Sequence, residues 1–381
     1  HFRTLAGYLK DLPVTVRLLI GGQKKKVRED ILEDVRSGRA DLVIGTHALI
    51  EENVKFVKLG FVVIDEQHRF GVLQRATLRE KGFNPDVLVM AATPIPRTLS
   101  LTVYGDLDVS VIDEMPANRK PIKTGLRTEA DKGKVYQFVR DEIARGRQVY
   151  IVFPLIEESE KVDLKAATTE FEQLRTAIFP EYQLGLIHGR MKSEEKDDIM
   201  ARFKSGQIHI LVSTTVIEVG IDVPNAAIMI IENAERFGLS QLHQLRGRVG
   251  RGADQSYCIL IANYGWFDEH PKGLEPGEVK KEKLDAQTRL ETMVQTTDGF
   301  KIAEVDLRLR GPGEFFGIRQ SGLPEFRIAN LIEDGELISL ARKEAFGLVD
   351  RDPQLRSVSH QSLRRHFEEC YKDAFALGSV G

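Results

Sequence analysis

The feature that most constrains the fold is a pair of segments that each occur twice at nearly the same spacing. REDILEDVRSGRADLVIGT at 28–46 aligns without a gap on KDDIMARFKSGQIHILVST at 196–214, an offset of 168 residues. FVVIDEQHRFG at 61–71 aligns on IMIIENAERFG at 228–238, an offset of 167 residues. Two repeats at nearly the same offset predict a duplicated lobe within a single chain.

Short apolar runs alternate with segments of helical period along most of the chain. In KKKVREDILEDVRSG, for example, Val27, Ile31 and Val35 recur every four residues, and Gly38 is the expected helix stop. Nearly continuous apolar strands between helices indicate parallel sheets covered on both faces, and hence an α/β fold. The predicted strands are VTVRLLI, ADLVIGT, FVVID, DVLVMAAT, QVYIVF, LGLIHG, IHILVST, AAIMII and YCILIA.

Composition limits the class of protein but not its partners. The 381 residues suffice for two or three domains, and a net charge of −3 gives no bulk basicity, so any nucleic-acid contact must come from local patches. Cys258 and Cys370 lack metal-binding spacing, which favours a reduced, cytosolic protein. No apolar run approaches the length of a membrane helix. HFRTLAGYL at the start resembles the middle of an amphipathic helix.

Two stretches predict where the organisation changes. MPANRKPIKTG at 115–125 contains two prolines and is typical of a loop, which suits a linker between the lobes. After YCILIANYG the alternation of strands ends, and from about residue 266 the sequence predicts a smaller, mainly helical region. Within it, the alternating apolar residues of VDLRLRG at 305–311 also allow a strand.

The acid pair after FVVI is the first candidate for chemistry. At the carboxyl end of a buried strand, Asp65 can hold Mg²⁺ and Glu66 can polarise a water molecule, as nucleotide hydrolysis requires. An acidic strand end that caps the following helix is the alternative for the DE pair alone. The longer stretch DEQHRFG favours the functional interpretation.

Two strand exits carry hydroxyl groups. Thr93 in AATPIPRTL lies where it could sense the acid pair, although the two prolines there also fit an ordinary loop. STTVIEVGIDVPNA at 213–226 offers hydroxyls and backbone amides for phosphate contacts, and Asp222 suits a ribose hydroxyl. A strand-to-helix turn with a threonine N-cap is the alternative.

QLHQLRGRVGRG at 241–252 places Arg246, Arg248 and Arg251 among three glycines. Glycine lets the backbone approach a partner closely, and arginine suits bidentate phosphate binding and neutralisation of transition-state charge. A solvated basic turn is the alternative, but such a turn does not require the glycines.

In order and spacing these stretches resemble the motor of superfamily 2 helicases. DEQH matches the second motif, AAT the third, STTVIEVGID the fifth and QLRGRVGR the sixth, and HGRM lies near the fourth. The resemblance implies two RecA-like P-loop NTPase lobes, at 1–117 and 118–265, followed by a small, mainly helical C-terminal region at 266–381.

The third region resembles the RecG family of ATP-driven DNA translocases. TTDGFKIAEVDLRLRGPGEFFGIRQSGLPEFRIANL at 296–331 is similar to the translocation motif of that family. Transcription-repair coupling factors share a looser version, usually with DEEH, so they are the runner-up. Gln67, RGPGEFFG and QSGLPEF favour RecG.

The resemblance implies roles for individual residues, matched by position. The implied metal ligands are Asp65 and Glu66, and the implied catalytic residues are Asp65, Glu66, Gln67, His68, Arg248 and Arg251. The implied contacts to ATP are Asp65, Thr93, Gly220, Asp222, Gln244, Arg248 and Arg251. Contacts to DNA, or transmission of lobe closure to it, are implied for Thr46, His47, His188, Gly189, Arg190, Thr214, Thr215, Arg310 and Gln320.

The phosphate-cradling pattern GxxxxGK[ST] does not occur in the sequence, and GGQKKK at 21–26 lacks its spacing. We therefore expect a segment that begins partway through the first lobe, without the wedge domain of the family, and that alone hydrolyses little ATP.

The resemblance implies an enzyme that uses ATP and Mg²⁺ to remodel stalled forks and Holliday junctions in recombination and repair. It further implies a monomeric, cytoplasmic, nucleoid-associated motor of bacterial type, with branched DNA and single-stranded-DNA-binding protein as partners and no membrane. A DNA-binding or partner-docking segment without catalysis is the alternative from another class.

Overall fold

The computed structural model describes residues 1–65, 78, 81–91, 108–116, 119–154, 160–214, 223–263, 276–315 and 334–370. The chain divides into two compact units. One contains residues 1–92 together with 345–381, and the other contains residues 93–344.

The first unit contains the first copy of the repeated segments. Two parallel pairs of strands are described there, β1 with β2 and β3 with β4. Its helix α2 buries Ile31 and Val35 against Leu19 of β1, and the backbone of Gly38 turns left-handed (φ 74°) just after the helix, as predicted for the stop. The elements are α1 (Phe2–Tyr8), β1 (Val16–Leu19), α2 (Lys25–Arg36), β2 (Leu42–Gly45), β3 (Phe61–Ile64) and β4 (Asp86–Val89).

The second unit contains a six-stranded parallel sheet in the order β5-β10-β9-β6-β8-β7. Its strands are β5 (Lys123–Thr128), β6 (Gln148–Phe153), β7 (Leu184–Ile187), β8 (Ile210–Thr214), β9 (Ala226–Ile231) and β10 (Tyr257–Ala262). The helices between them are α3 (Lys132–Ala144), α4 (Glu160–Gln173), α5 (Ser193–Lys204) and α6 (Leu239–Arg246). A π-helical turn, Leu174–Ile178, extends α4.

Both faces of this sheet are covered, as the apolar runs predicted. Every residue of β8 and β9 is buried. On one face, α5 and α6 pack through side chains such as Phe203 and Leu242, and on the other α3 packs through Val139 and Ile143. The α/β fold of two lobes is therefore confirmed, and all nine predicted strands are present.

One strand was missed, and the prediction of a loop over 115–125 is wrong at its end. Lys123–Thr128 form β5, which lies at the edge of the described sheet and pairs there with β10, with Lys123 opposite Tyr257. Its sequence, KTGLRT, contains a single large apolar side chain, Leu126. A strand at the edge of a sheet needs little apolar surface, which is why no apolar run marked it.

The third region is mainly helical, as predicted. Its helices are α7 (Pro276–Gln295), α8 (Gly299–Phe315), α9 (Gly335–Arg351) and α10 (Gln361–Cys370). The stretch 305–311 belongs to α8 rather than to a strand, because Ile302, Ala303 and Leu307 are buried at helical spacing. The helix is kinked at Gly311, whose φ is 76°.

The first two helices of this region pack against the second lobe. Leu290 and Met293 of α7 and Ile302 of α8 belong to the same buried cluster as the apolar side chains of α6. The arrangement brings the helical region next to the arginine-rich stretch. The domain boundaries at 117 and 265 stay predictions.

Among the residues that the structure describes, none of the helices has both the length and the apolar character needed to cross a membrane.

Candidate functional site

Asp65 lies directly after β3, at the carboxyl end of that strand. Val62 and Ile64 of the strand are buried, whereas the Asp65 side chain is 39% exposed. Its Oδ2 atom lies 2.8 Å from Nε2 of His1. Of the predicted acid pair, Asp65 is therefore placed at a strand end where a carboxylate can reach a ligand. Glu66, Gln67, His68 and Thr93 lie outside the described residues.

The second copy of this stretch is built differently. Glu232, which aligns with Asp65, follows β9 directly and is almost completely buried. Nζ of Lys132, the first residue of α3, lies 3.1 Å from Glu232 Oε2 and 2.8 Å from Glu129 Oε2. Burial raises the pKa of Glu232. The pKa of Lys132 is also raised: burial opposes its charge, but the two carboxylates outweigh that effect. A side-chain ammonium thus neutralises the acid of the second lobe.

The rest of ENAERFG forms a turn that other elements hold in place. Asn233 adopts the left-handed conformation (φ 47°). The buried Glu235 accepts a hydrogen bond from the Asn263 backbone through Oε2 (3.3 Å), and its carbonyl oxygen accepts one from Arg289 (3.0 Å). Burial raises the pKa of the Glu235 carboxyl group. In this copy, the polar residues hold the backbone in place.

Helix α6 positions the arginine-rich stretch. Leu239, Leu242 and Leu245 are buried against the sheet, and Gly238 at the start of the helix donates its N–H to Oε1 of Gln241 (2.9 Å). The helix ends at Arg246, and Gly247 begins the arginine loop, which we define as residues 247–252. The loop carries Arg248 and Arg251, which are half-buried, as is Gln244 one turn earlier.

Arg246 differs from the two arginines that follow, because it is 2% exposed and its hydrogen bonds are internal. Its Nη1 donates to the carbonyl oxygens of Met293 (2.9 Å) and Thr296 (2.8 Å) and reaches the Thr124 hydroxyl at 3.5 Å. Its Nη2 lies 3.1 Å from Nδ1 of His243. Burial, and then the charge of Arg246, lower the pKa of His243 to about 4, so the imidazole is neutral and accepts.

By residue chemistry alone the three arginines are equivalent candidates for phosphate binding, and only the family resemblance assigns roles to Arg248 and Arg251 and not to Arg246. One further signal in the sequence sets Arg246 apart. Arg246 follows Leu239 by seven residues and Leu242 by four, so it continues the buried face of α6. Arg248 and Arg251 lie beyond the helix.

Two glycines fix the far end of the arginine loop. Gly250 has φ +80°, and a Cβ atom there would lie 2.9 Å from Cγ1 of Ile122. A Cβ atom at Gly252 would lie 2.5 Å from the carbonyl oxygen of Pro224. The glycines therefore serve close packing within the second lobe.

The predicted DNA contacts lie at strand ends where they are described. Thr46 and His47 follow β2 and are exposed, and Gly189 and Arg190 are exposed beyond β7. His188 directly follows β7, and its pKa is lowered by burial and then by Lys196.

Thr214 ends β8 and is buried. Ile187 pairs with Ser213, so His188 and Thr214 lie at the ends of neighbouring strands. Thr215, Gly220, Asp222 and Gln320 lie outside the described residues.

Arg310 lies on α8 and contacts the start of α6. Its Nε donates to Oδ1 of the buried Asp306 at 3.0 Å. A Cβ atom added to Gly238, which precedes α6, would lie 2.5 Å from Nη2 of Arg310. Burial raises the pKa of Asp306, and the charge of Arg310 opposes that shift. The third region therefore contacts the turn that begins the arginine helix.

Family models match three successive parts of the chain. Residues 1–102 match the DEAD/DEAH box helicase family, and residues 133–253 match the helicase conserved C-terminal domain. Residues 296–380 match the C-terminal part of domain 3 of ATP-dependent DNA helicase RecG.

Curated relatives match along nearly the whole chain. ATP-dependent DNA helicase RecG of Synechocystis sp. is 52% identical over 98% of this chain and 42% of its own length. The Aquifex aeolicus protein of the same name is 49% identical over 100% of this chain and 46% of its own. ATP-dependent DNA helicase RecG of Bacillus subtilis is 48% identical over 96% of this chain and 51% of its own length. The chain therefore spans about half the length of the curated relatives it matches.

Solved structures agree with these matches. A RecG structure bound to a three-way DNA junction is 48% identical, with a TM-score of 0.63 over 89% of this chain and 41% of that one. Dbp5 of S. cerevisiae, bound to RNA and ADP BeF3, is 14% identical, with a TM-score of 0.51 over 81% of this chain and 77% of that one, and so shows the fold alone. Because RecG relatives match both lobes and the third region in one register, the chain belongs to the RecG family.

Proposed function

We propose that the chain forms the motor of an ATP-dependent double-stranded DNA translocase that remodels branched DNA, such as stalled forks and Holliday junctions, in recombination and repair. The observation that carries the proposal is the match of RecG relatives, at about half identity, to both lobes and to the third region. The junction-bound RecG structure supports branched DNA as the substrate. As further parts of the proposal, the motor is monomeric, works in the bacterial cytoplasm near the nucleoid, and has single-stranded-DNA-binding protein as a partner.

The residues available at the end of β3 fit a magnesium ion. Mg²⁺ prefers oxygen ligands and is usually held through one or two carboxylates and water. Asp65 supplies a partly exposed carboxylate directly after a buried strand, and Glu66 follows it in the sequence. We assign Asp65 to the metal of the ATP complex, Glu66 to the attacking water, and Gln67, His68 and Thr93 to the response of the site to nucleotide. Bound Mg²⁺ would neutralise charge on the phosphates.

The arginine loop fits the other half of the chemistry. Phosphoryl transfer is catalysed mainly by positioning and by neutralising charge in the transition state, and an arginine is effective in that role. Arg248 and Arg251 lie on a loop that Arg246, Gly250 and Gly252 hold in place. We assign both arginines to the terminal phosphate.

The remaining residue roles are assigned by matching positions in the sequence to the motifs of the family. We assign Gln244, Gly220 and Asp222 to nucleotide binding, and Arg310 and Gln320 to the transmission of motion to DNA. The residues that we assign to the DNA backbone are Thr46, His47, His188, Gly189, Arg190, Thr214 and Thr215. The three domains in this proposal are 1–117, 118–265 and 266–381.

ATP hydrolysis stimulated by forked DNA tests the proposal in the full-length protein. We expect Asp65→Asn and Arg251→Ala each to lower turnover by roughly a hundredfold or more, because each removes charge stabilisation of the transferred phosphate. Binding to a Holliday junction, measured by fluorescence anisotropy, should change by no more than about threefold, since neither residue is assigned to DNA.

Arg202→Gln is the matched control. Arg202 is an exposed arginine on α5, so its loss should leave turnover unchanged. Normal turnover in either Asp65→Asn or Arg251→Ala would remove that residue from the site. Wild-type protein that hydrolyses no ATP with forked DNA would contradict the proposed function itself.

A further inference from the structure

Arg246 caps the end of another helix. The last carbonyl groups of a helix have no partner within it and carry partial negative charge. The Met293 carbonyl belongs to the last turn of α7 and the Thr296 carbonyl lies just beyond its end, and both accept from Nη1 of Arg246. The buried guanidinium therefore joins the end of α6 to the end of α7.

The surroundings of Arg246 favour a guanidinium over an ammonium. The Thr124 hydroxyl of β5 lies 3.5 Å from the same Nη1, and Nδ1 of the neutral His243 lies 3.1 Å from Nη2. A planar guanidinium offers donors in several fixed directions, whereas an ammonium is a compact point charge on a flexible stem. Lysine at this position could serve the two carbonyl groups but not all four contacts.

The cap fixes the start of the arginine loop. Arg248 is only two residues beyond Arg246, and Gly250 and Gly252 fix the far end against Ile122 and the Pro224 carbonyl. The loop that carries Arg248 and Arg251 is thus held at both ends. At the start of the loop, Arg246 bonds to the helical region through Met293 and Thr296, whereas the two glycines at the far end pack within the second lobe.

We propose that Arg246 is a positioning residue, which sets the reach of Arg248 and Arg251 through its bonds to the end of α7 and does not itself bind phosphate. The proposal rests on the proposed function for the roles of those two arginines. It predicts that the loss of Arg246 slows the chemical step without weakening ATP binding. It also means that the contact between the ends of α6 and α7 affects the rate of ATP hydrolysis.

Steady-state kinetics of Arg246→Gln in the full-length protein, with forked DNA, provide the first test. We expect kcat to fall about tenfold or more while KM for ATP stays within about threefold, and Arg246→Lys to recover part of kcat. Arg202→Gln is the control and should match wild type. Circular dichroism at the assay temperature measures the folded fraction of each variant.

Three outcomes would overturn the proposal. An unchanged kcat would show that the hydrogen bonds of Arg246 are not needed to place Arg248 and Arg251. A raised KM with normal kcat would make Arg246 a phosphate ligand. A fall in kcat that only follows the folded fraction, with no recovery in Arg246→Lys, would leave a structural role alone.

Amide hydrogen exchange tests the positioning without relying on activity. In Arg246→Gln, peptides that cover 247–252 should exchange about tenfold faster or more, whereas peptides from α3 should match wild type. Equal exchange across 247–252 in both proteins would contradict the proposal, even if the wild-type protein hydrolysed no ATP. Absence of hydrolysis in wild type would count against the proposed function alone.

Discussion

Lys132 and Glu232 occupy the strand end at which the first lobe has Asp65. The two copies of the turn align in sequence, but the carboxylate at the strand end is partly exposed in the first lobe and buried in the second. A buried carboxylate is costly unless a positive charge lies beside it. In the second lobe that charge is the partly exposed ammonium of Lys132, which forms an ion pair with Glu129 as well.

Replacing Lys132 by methionine should therefore destabilise the second lobe. We expect a loss near the lower end of roughly 3–5 kcal/mol, since an unpaired buried charge remains while the lysine is itself 26% exposed. Urea denaturation, followed by circular dichroism, measures the change.

Lys134→Met is the matched control, because Lys134 lies on the same helix and is exposed. The double variant Lys132→Met with Glu232→Gln should regain part of the loss, since no charge is left buried. Equal stability of Lys132→Met and wild type would contradict the assigned pairing.

At the scale of elements, the glycines of the arginine loop differ in backbone conformation and in the space available for a Cβ atom. Gly250 combines a positive φ with contact to Ile122, whereas Gly247 has helical backbone angles and a nearest contact of 3.4 Å for an added Cβ. The two positions look alike in the sequence.

Gly250→Ala should accordingly cost more than Gly247→Ala. We expect a loss of about 2–4 kcal/mol for Gly250→Ala, from left-handed backbone strain together with the overpacked contact. For Gly247→Ala we expect a change within roughly 1 kcal/mol, because no strain arises and alanine favours helical angles. Thermal unfolding of the two variants makes the comparison, and a larger loss at Gly247 would refute it.

Elements also show where sequence patterns stop being informative. Buried strands such as β8 and β9 can be recognised in the sequence as apolar runs, because both faces of the sheet are covered. The edge strand β5 carries a lysine, an arginine and two threonines, and only its pairing with Tyr257–Ala262 reveals it. The helix over 299–315 likewise depends on packing against α6 for its identity.

For the whole molecule, the 381 residues contain no phosphate-cradling GxxxxGK[ST] loop. The backbone amides of that loop and its lysine hold the β and γ phosphates, so a site without them lacks part of its charge stabilisation. We therefore expect these residues alone to hydrolyse ATP about a hundredfold or more slowly than the full-length Aquifex aeolicus relative, with forked DNA present.

A coupled ATPase assay makes this comparison at equal concentrations of the two proteins. Binding of branched DNA, measured on the same preparation, shows whether the chain is folded and competent. Robust DNA-stimulated turnover by the 381 residues would refute the expectation and would place the phosphate-binding groups within them.

The sequence by itself determined the duplicated α/β lobes, the helical third region and the kinds of residue at each strand end. These properties follow from local periodicity and from the order of motifs, which a chain displays before it folds. Tertiary structure alone decided which partners the buried polar residues meet. Arg246 meets the carbonyl of Met293, 47 residues away, and Lys132 meets Glu232, 100 residues away. Burial and pairing over such separations depend on how the helices and strands pack, so identical residue types in one short stretch came to hold different roles.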